Sequence, residues 1–163
     1  MPAPEDAPSN SHRDCPLADK APNTEMWLAD IRRVSDVVTP TIDAIWRKGG
    51  AAPIDVPQTW SAGDVHARNV LVERGKLAAF IDWGDMCAGD RATDLASIWA
   101  LFEDPTARRA AIEAYGMSDA TLTRAKGWAV FYGAILMATG LKDTPRHAVM
   151  GEAPLRRVHA DGV

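Results

Sequence analysis

The stretch GDVHARN, residues 63–69, places an acid, an imidazole and an amide within seven positions. The apolar run VLV follows it directly, which is typical of a short strand. A second apolar segment, LAAFI at residues 77–81, comes after the connection Arg74-Gly75-Lys76, and a glycine in so short a connection favours a β-hairpin. The sequence therefore predicts strands at residues 69–73 and 77–82, with polar groups at the open end of the hairpin.

Three of these polar groups have the chemistry of a metal and proton-transfer site. Asp64 and Asn69 precede the first strand and Asp82 ends the second, so the hairpin brings them together. Carboxylate and amide oxygens suit Mg²⁺. The five-position spacing from Asp64 to Asn69 is that of a kinase catalytic loop, and Asp82-Trp83-Gly84 stands where a kinase has its metal-binding Asp-Phe-Gly. The order and spacing together predict phosphoryl transfer.

Taken singly, each residue also has a plain structural interpretation. Asp64 after a glycine is a common turn residue, Asn69 can cap a loop, and Asp82 can end a strand. His66 is a second case, since Asp64-x-His66 is also typical of metallophosphoesterases. Their further Asn-His motif has no counterpart in the sequence, so His66 is interpreted as a residue that shapes the catalytic loop.

The rest of the chain predicts an α+β fold that is mostly helical. Five prolines in residues 1–22 indicate an extended lead-in or linker, and residues 23–163 form the folded domain. Helices are predicted from Thr24, from Thr39-Pro40 to Gly49-Gly50, from Asp94 to Phe102, from Asp104-Pro105 to Gly116, from Ser118-Asp119 to Gly140, and from Thr144-Pro145 onward.

Composition excludes several classes of protein. The 163 residues carry a formal net charge of −4, so no basic face for nucleic acid is expected. Cys15 and Cys87 form no C-x-x-C pair, which argues against a zinc site or a disulfide framework. The N-terminus lacks the pattern of a signal peptide. The longest uncharged segment, residues 127–141, is shorter than the roughly 20 residues of a membrane span. We expect a cytoplasmic protein with no membrane partner.

Two longer segments carry a resemblance to a known family. WSAGDVHARNVLV, residues 60–72, and AAFIDWGDMCAGDRATDLA, residues 78–96, resemble the core of bacterial aminoglycoside phosphotransferases, which have a protein-kinase-like fold. The resemblance implies the C-terminal lobe of that fold. It makes Asp64 the catalytic base, Asn69 and Asp82 the Mg²⁺ ligands, His66 a supporting loop residue, and Asp94 a brace for the catalytic loop.

The sequence departs from the family pattern at two places. Ala62 stands where the family has a histidine that supports the catalytic loop. Before Asp64 there is no Gly-rich loop and no strand lysine to hold ATP, since Gly49, Gly50 and Gly63 are the only glycines there. The N-terminal nucleotide lobe is therefore expected to be absent. The ATP and Mg²⁺ chemistry would need a separate nucleotide-lobe chain, and this chain alone is expected to be inactive.

Three hypotheses remain open from the sequence. The first is the phosphotransferase, acting on a small hydroxylated substrate, of which an aminoglycoside, and so antibiotic resistance, is one candidate. The second is a non-catalytic remnant of the lobe that binds a small molecule or a partner. The third is a metal-dependent hydrolase using His66. Glu103, Asp104, Glu113 and Asp119 could contact a cationic sugar, but they lie at caps and helix surfaces, so solvated surface residues are the preferred interpretation.

Overall fold

The computed structural model describes residues 1–13 and 15–163. It is an α+β structure dominated by helices, as predicted, with short antiparallel strands. In chain order the elements are α1 (Ala21–Arg32), α2 (Pro40–Ala51), β1 (Thr59–Ser61), β2 (Val70–Glu73), β3 (Lys76–Phe80), β4 (Cys87–Gly89), α3 (Ala92–Leu95), α4 (Ser97–Leu101), α5 (Pro105–Tyr115), α6 (Asp119–Lys142) and α7 (Pro145–Ala160).

The four strands form two nested antiparallel pairs. β2 pairs with β3, placing Val70 opposite Phe80, and β1 pairs with β4, placing Ser61 opposite Cys87. Between the two pairs run a first loop, residues 62–69, and a second loop, residues 81–86. Because β1 and β4 are neighbouring strands, the first loop begins and the second loop ends at the same end of the β1–β4 pair. The β1–β4 pair was not predicted, since three-residue strands carry too little pattern to be identified.

The predicted hairpin is confirmed, with a tighter turn. Arg74 and Gly75 both have positive φ, 51° and 76°, which is the backbone of a two-residue type I′ turn. Lys76 therefore belongs to β3 and not to a three-residue connection. The predicted second strand, residues 77–82, was also too long at its end, because Asp82 lies beyond β3 with a left-handed φ of 62°.

The helices pack around one apolar core, and most of their predicted start signals are confirmed. Thr39, Asp104 and Ser118 accept N-cap hydrogen bonds at the starts of α2, α5 and α6. Trp99 and Trp128 are completely buried in this core. In the described part of the chain, no helix combines the length and apolarity needed to cross a membrane.

Two predicted helix ends were wrong because the glycines there serve close packing. α2 continues through Gly49 to Ala51, and a Cβ on Gly49 would lie 2.7 Å from Gly127 Cα of α6. Gly140 does not end α6, which reaches Lys142, because it allows the first turn of α7 to approach. The predicted helix over residues 94–102 is two short ones, α3 and α4, separated by Ala96.

The N-terminal segment is irregular, as expected, but it packs against the strands. The Trp60 N–H donates to the Met1 carbonyl at 3.2 Å, and the Ala88 N–H donates to the Pro8 carbonyl at 3.0 Å. The segment thus adds main-chain partners to both β1 and β4. A 3-10 turn, Leu17–Lys20, then leads into α1, which begins three residues before the predicted start at Thr24.

Candidate active site

The first loop is fixed at its start by a carboxylate from a helix. Asp94 in α3 accepts hydrogen bonds from Ser61 Oγ at 2.9 Å, from the Ala62 N–H at 2.7 Å and from the Gly63 N–H at 2.9 Å. It is the third residue of α3 and not its N-cap. Three donors on one carboxylate hold the loop to the helix, so Asp94 lies where a brace for the catalytic loop is expected.

Asp64 and Asn69 meet across the first loop. The buried Asn69 Nδ2 donates to the Asp64 carbonyl at 2.9 Å and to Asp64 Oδ2 at 3.2 Å. His66 Nε2 lies 3.3 Å from the same Oδ2. The Asn69 N–H also donates to the His66 carbonyl at 2.9 Å, which closes the loop on itself. The Asp64 carboxylate is thereby oriented while its side chain stays 34% exposed.

The second loop lies against the first. The Ile81 N–H donates to the Asn69 carbonyl at 2.9 Å, which places the following residue, Asp82, beside Asn69. Gly63, with φ of 79°, touches the second loop so closely that a Cβ there would be 2.6 Å from the Asp85 carbonyl oxygen. The structure therefore brings Asp64, Asn69 and Asp82 to one side of the molecule.

The donors at this place fit a Mg²⁺ ion that is shared with phosphates. Both hydrogen bonds of the Asn69 side chain to Asp64 use Nδ2, so Oδ1 is not engaged in them, and the Asp82 side chain is exposed. Among residues 1–13 and 15–163, no three His, Cys, Asp or Glu side chains are grouped to hold a metal. Mg²⁺ takes one or two protein oxygens and completes its shell with water and phosphate, so Asn69 and Asp82 are the residues that would hold it.

Arg13 is a site residue that the sequence did not indicate. Its Nη2 lies 3.5 Å from Asp64 Oδ1 and 3.2 Å from Asp85 Oδ2, so it bridges the two loops. Burial acts to lower the pKa of Arg13, but Tyr132 and the two carboxylates outweigh it and leave that pKa above its ordinary value. Arg13 and Asp64 are 51 positions apart, and no local pattern connects them.

Two other acids beside the site, Asp85 and Asp90, are engaged in ion pairs. Asp90 forms an ion pair with Arg124, whose Nε lies 2.6 Å from Asp90 Oδ2, and both side chains are buried. This pair ties the end of β4 to α6. Asp85 is engaged by Arg13 and also accepts from Asn10 Nδ2 at 3.2 Å. Both carboxylates therefore stabilise the frame around Asp64.

A cavity of about 590 Å³ opens beside Asp64. The first loop forms one wall, and α4, α6 and α7 form the others. Tyr132 of α6 lies at this cavity beneath the Arg13 guanidinium, whose central carbon is 5.3 Å from the ring centroid. Burial raises the pKa of the Tyr132 hydroxyl above its ordinary value, against the opposing effect of Arg13. The tyrosine is therefore a neutral polar group of the wall.

The acids considered as contacts for a cationic sugar do not line this cavity: Glu103, Asp104, Glu113 and Asp119. Asp104 instead caps α5 by accepting from the Thr106 N–H at 2.8 Å. The space next to Asp64 thus has a different chemistry from the acidic surface that the sequence suggested.

Comparison with known proteins identifies both the class and the family of this chain. Residues 4–128 match the model of the phosphotransferase enzyme family, APH, which defines the class as kinase-like phosphotransferases. That match covers more than half of the chain, and the protein belongs to this family. Among curated proteins, no sequence matches it.

One solved structure similar to the chain is a thermostable mutant of aminoglycoside phosphotransferase APH(4)-Ia in its apo form. The sequence identity is 18% and the TM-score is 0.46. The alignment covers 85% of this chain and 52% of the other, so the chain spans about half the length of that protein.

Proposed function

We propose that residues 23–163 are the C-terminal lobe of an ATP- and Mg²⁺-dependent phosphotransferase, with residues 1–22 as its lead-in. The reaction transfers the γ-phosphoryl group of ATP to a hydroxyl of a small molecule. The observation that carries this proposal is the position of Asp64, which borders the cavity and also contacts Asn69. The acceptor space would border this carboxylate, which is also in contact with the proposed cation ligand Asn69.

Each side chain then has a defined task. The Asp64 carboxylate accepts the proton of the acceptor hydroxyl while the hydroxyl oxygen bonds to the γ-phosphorus and the bond to the ADP oxygen breaks. Asn69 and Asp82 would hold Mg²⁺, which neutralises charge on the phosphates when bound. His66 orients the Asp64 carboxylate from 3.3 Å, and Asp94 holds the main chain that carries Asp64.

The replacement of the family histidine by Ala62 has a partial compensation. The Ala62 N–H donates to Asp94 Oδ2 at 2.7 Å, so the main chain at this position is held although an imidazole is missing. Support for the catalytic loop is therefore retained through the backbone. Because no imidazole supports the catalytic loop at position 62, the loop depends more strongly on its contact with Asp94.

A separate nucleotide-binding lobe would have to supply the residues that bind ATP. The described residues before Asp64 contain one strand, β1, and the sequence there has no Gly-rich loop. Large apolar side chains are exposed on the hairpin and second loop, next to the proposed cation ligands: Leu71, Val72, Leu77, Ile81, Trp83 and Met86. Such a concentrated patch is typical of a surface that another domain covers. ATP-dependent action also favours a cytoplasmic location.

Reconstitution tests this proposal directly. The purified chain is titrated with ATP and Mg²⁺ by calorimetry, and then combined with the nucleotide lobe of a family member in an assay for transfer of labelled phosphate. We expect no measurable ATP affinity for the chain alone, and transfer in the combination. Asp64→Asn should abolish transfer, whereas Asp36→Asn, a change at an exposed carboxylate paired with Arg156, should leave it unchanged.

Two outcomes would contradict the proposal. Micromolar ATP affinity of the chain alone would show that no separate lobe is needed. Transfer that survives Asp64→Asn would show that Asp64 is not the base.

The Arg13 ion pair to Asp64 favours a second candidate, a non-catalytic binding module, because it neutralises the carboxylate. For a binding module of this kind, Asp64→Asn would leave ligand binding unchanged. Adding a nucleotide lobe would not produce phosphoryl transfer.

A further inference from the structure

The lining of the cavity beside Asp64 indicates what kind of acceptor binds there, which the family match does not specify. We infer that the acceptor is a largely apolar alcohol without positive charge, in contrast to a polycationic aminosugar. This inference rests on the proposed function, because it takes the cavity as the acceptor site.

The walls of the cavity are mainly aliphatic. α6 contributes Ile135 and Leu136, and α7 contributes Val149, Met150 and Ala153. At about 590 Å³ the cavity has the size of an ordinary small-molecule site. An apolar ligand body that fills it removes apolar surface from water on both partners, which favours binding.

The charges around the cavity oppose a cationic ligand. Asp64 is the one carboxylate among the described lining residues, and it is already in contact with Arg13 at 3.5 Å and with His66 at 3.3 Å. Of the other ionisable lining residues, Arg68 and His147 are basic, and Tyr132 is neutral. An ammonium group buried here would lose its hydration and find no free counter-charge, which excludes a ligand with several of them.

Apart from the charged and imidazole side chains, the polar side chains of the described cavity lining are neutral hydroxyls. Thr93 lines the cavity, is 3% exposed, and has a hydroxyl oxygen with no hydrogen-bond partner in the described residues. A buried hydroxyl left unpaired is unfavourable, so a ligand oxygen that pairs with it gains affinity. The described lining residues carry four neutral hydroxyls, on Thr93, Ser97, Tyr132 and Thr139, and the remaining wall is mainly aliphatic, which fits an alcohol with few oxygens and no charge.

Calorimetry with two probes of opposite character tests the inference on the full chain. The probes are 1-octanol and tobramycin, and the variants are Leu136→Asp in the cavity wall and Val34→Asp at a 66% exposed position outside it. We expect 1-octanol to bind the wild type and tobramycin not to bind. Leu136→Asp should weaken 1-octanol binding at least tenfold, and Val34→Asp should leave it unchanged. Ala153→Trp fills the same space without charge, so it gives the same loss of binding if Leu136→Asp does not fold.

The outcomes separate this inference from the function on which it rests. Tobramycin binding more tightly than 1-octanol, or 1-octanol binding that is absent or unaffected by both cavity variants, overturns the inference. Phosphoryl transfer to tobramycin in the reconstituted enzyme also overturns it and leaves the phosphotransferase proposal intact. Conversely, 1-octanol binding that depends on the cavity, without any transfer in the reconstituted enzyme, contradicts the phosphotransferase proposal and leaves the ligand class standing.

Discussion

The two loops that form the candidate site are held to very different degrees. The first loop is bonded twice to Asp94, which also accepts from the preceding strand residue Ser61, and the loop closes on itself through the buried Asn69. The second loop is anchored at Ile81 and Asp85, while the residues between them are exposed. The fold therefore orients the proposed base before any ligand arrives and leaves Asp82 free to adjust. That division suits a cation whose shell is completed by phosphate and water.

The largest effect is expected at the anchor of the first loop. Asp94→Ala leaves one hydroxyl and two main-chain N–H groups without their acceptor, and we expect the free energy of unfolding to fall by about 3 kcal/mol. Urea unfolding measures this. Asp36→Ala, which removes an exposed ion pair to Arg156, should change it by less than about 1 kcal/mol. Equal losses in the two variants would mean that Asp94 is not an anchor.

The contact between the loops is tested by a pair of glycines with similar backbone. Gly63 and Gly75 have φ of 79° and 76°, but only a Cβ on Gly63 meets a neighbour, the Asp85 carbonyl oxygen at 2.6 Å. Gly75→Ala should cost about 1 kcal/mol for its left-handed backbone. Gly63→Ala should cost about 1 kcal/mol more, because the main chain of the second loop must move. Equal unfolding free energies for the two variants would show that the loops are not in close contact.

A smaller effect is expected where Arg13 bridges the loops. Its partners Asp64 and Asp85 are 34% and 41% exposed, so solvent weakens both ion pairs. We expect Arg13→Gln to lower the free energy of unfolding by about 1 kcal/mol. Arg33→Gln, at a surface pair with Asp30, is the control and should have a smaller effect. A stability loss confined to Arg33→Gln would remove Arg13 from the frame of the site.

The smallest effect on stability is expected at the exposed end of the second loop. Asp82 has a φ of 62°, a conformation that asparagine tolerates, so Asp82→Asn should change the free energy of unfolding by less than about 0.5 kcal/mol. The same change should nevertheless remove Mg²⁺-dependent transfer in the reconstituted enzyme, because one cation ligand loses its charge. A large stability loss would mean that the second loop is as firmly held as the first.

Features encoded in neighbouring residues were predictable. The hairpin follows from two short apolar runs joined by a glycine-containing turn, and the caps at Thr39, Asp104 and Ser118 follow from their position before a helical pattern. The spacing of Asp64 and Asn69 is local as well, so sequence indicated a catalytic loop and its family. The predicted helix ends at Gly49 and Gly140 were wrong because these glycines do not end helices. They are small residues required where a distant helix packs closely against them.

The sequence by itself determined the hairpin, most of the helices, the polar loops and the family, because each depends on residues only a few positions apart. Tertiary structure alone decided that Arg13 meets Asp64, that β1 pairs with β4, and that aliphatic side chains of α6 and α7 line the space beside the proposed base. These contacts join segments far apart in the chain. They form only when burial of the shared core brings the helices together, so no short pattern records them.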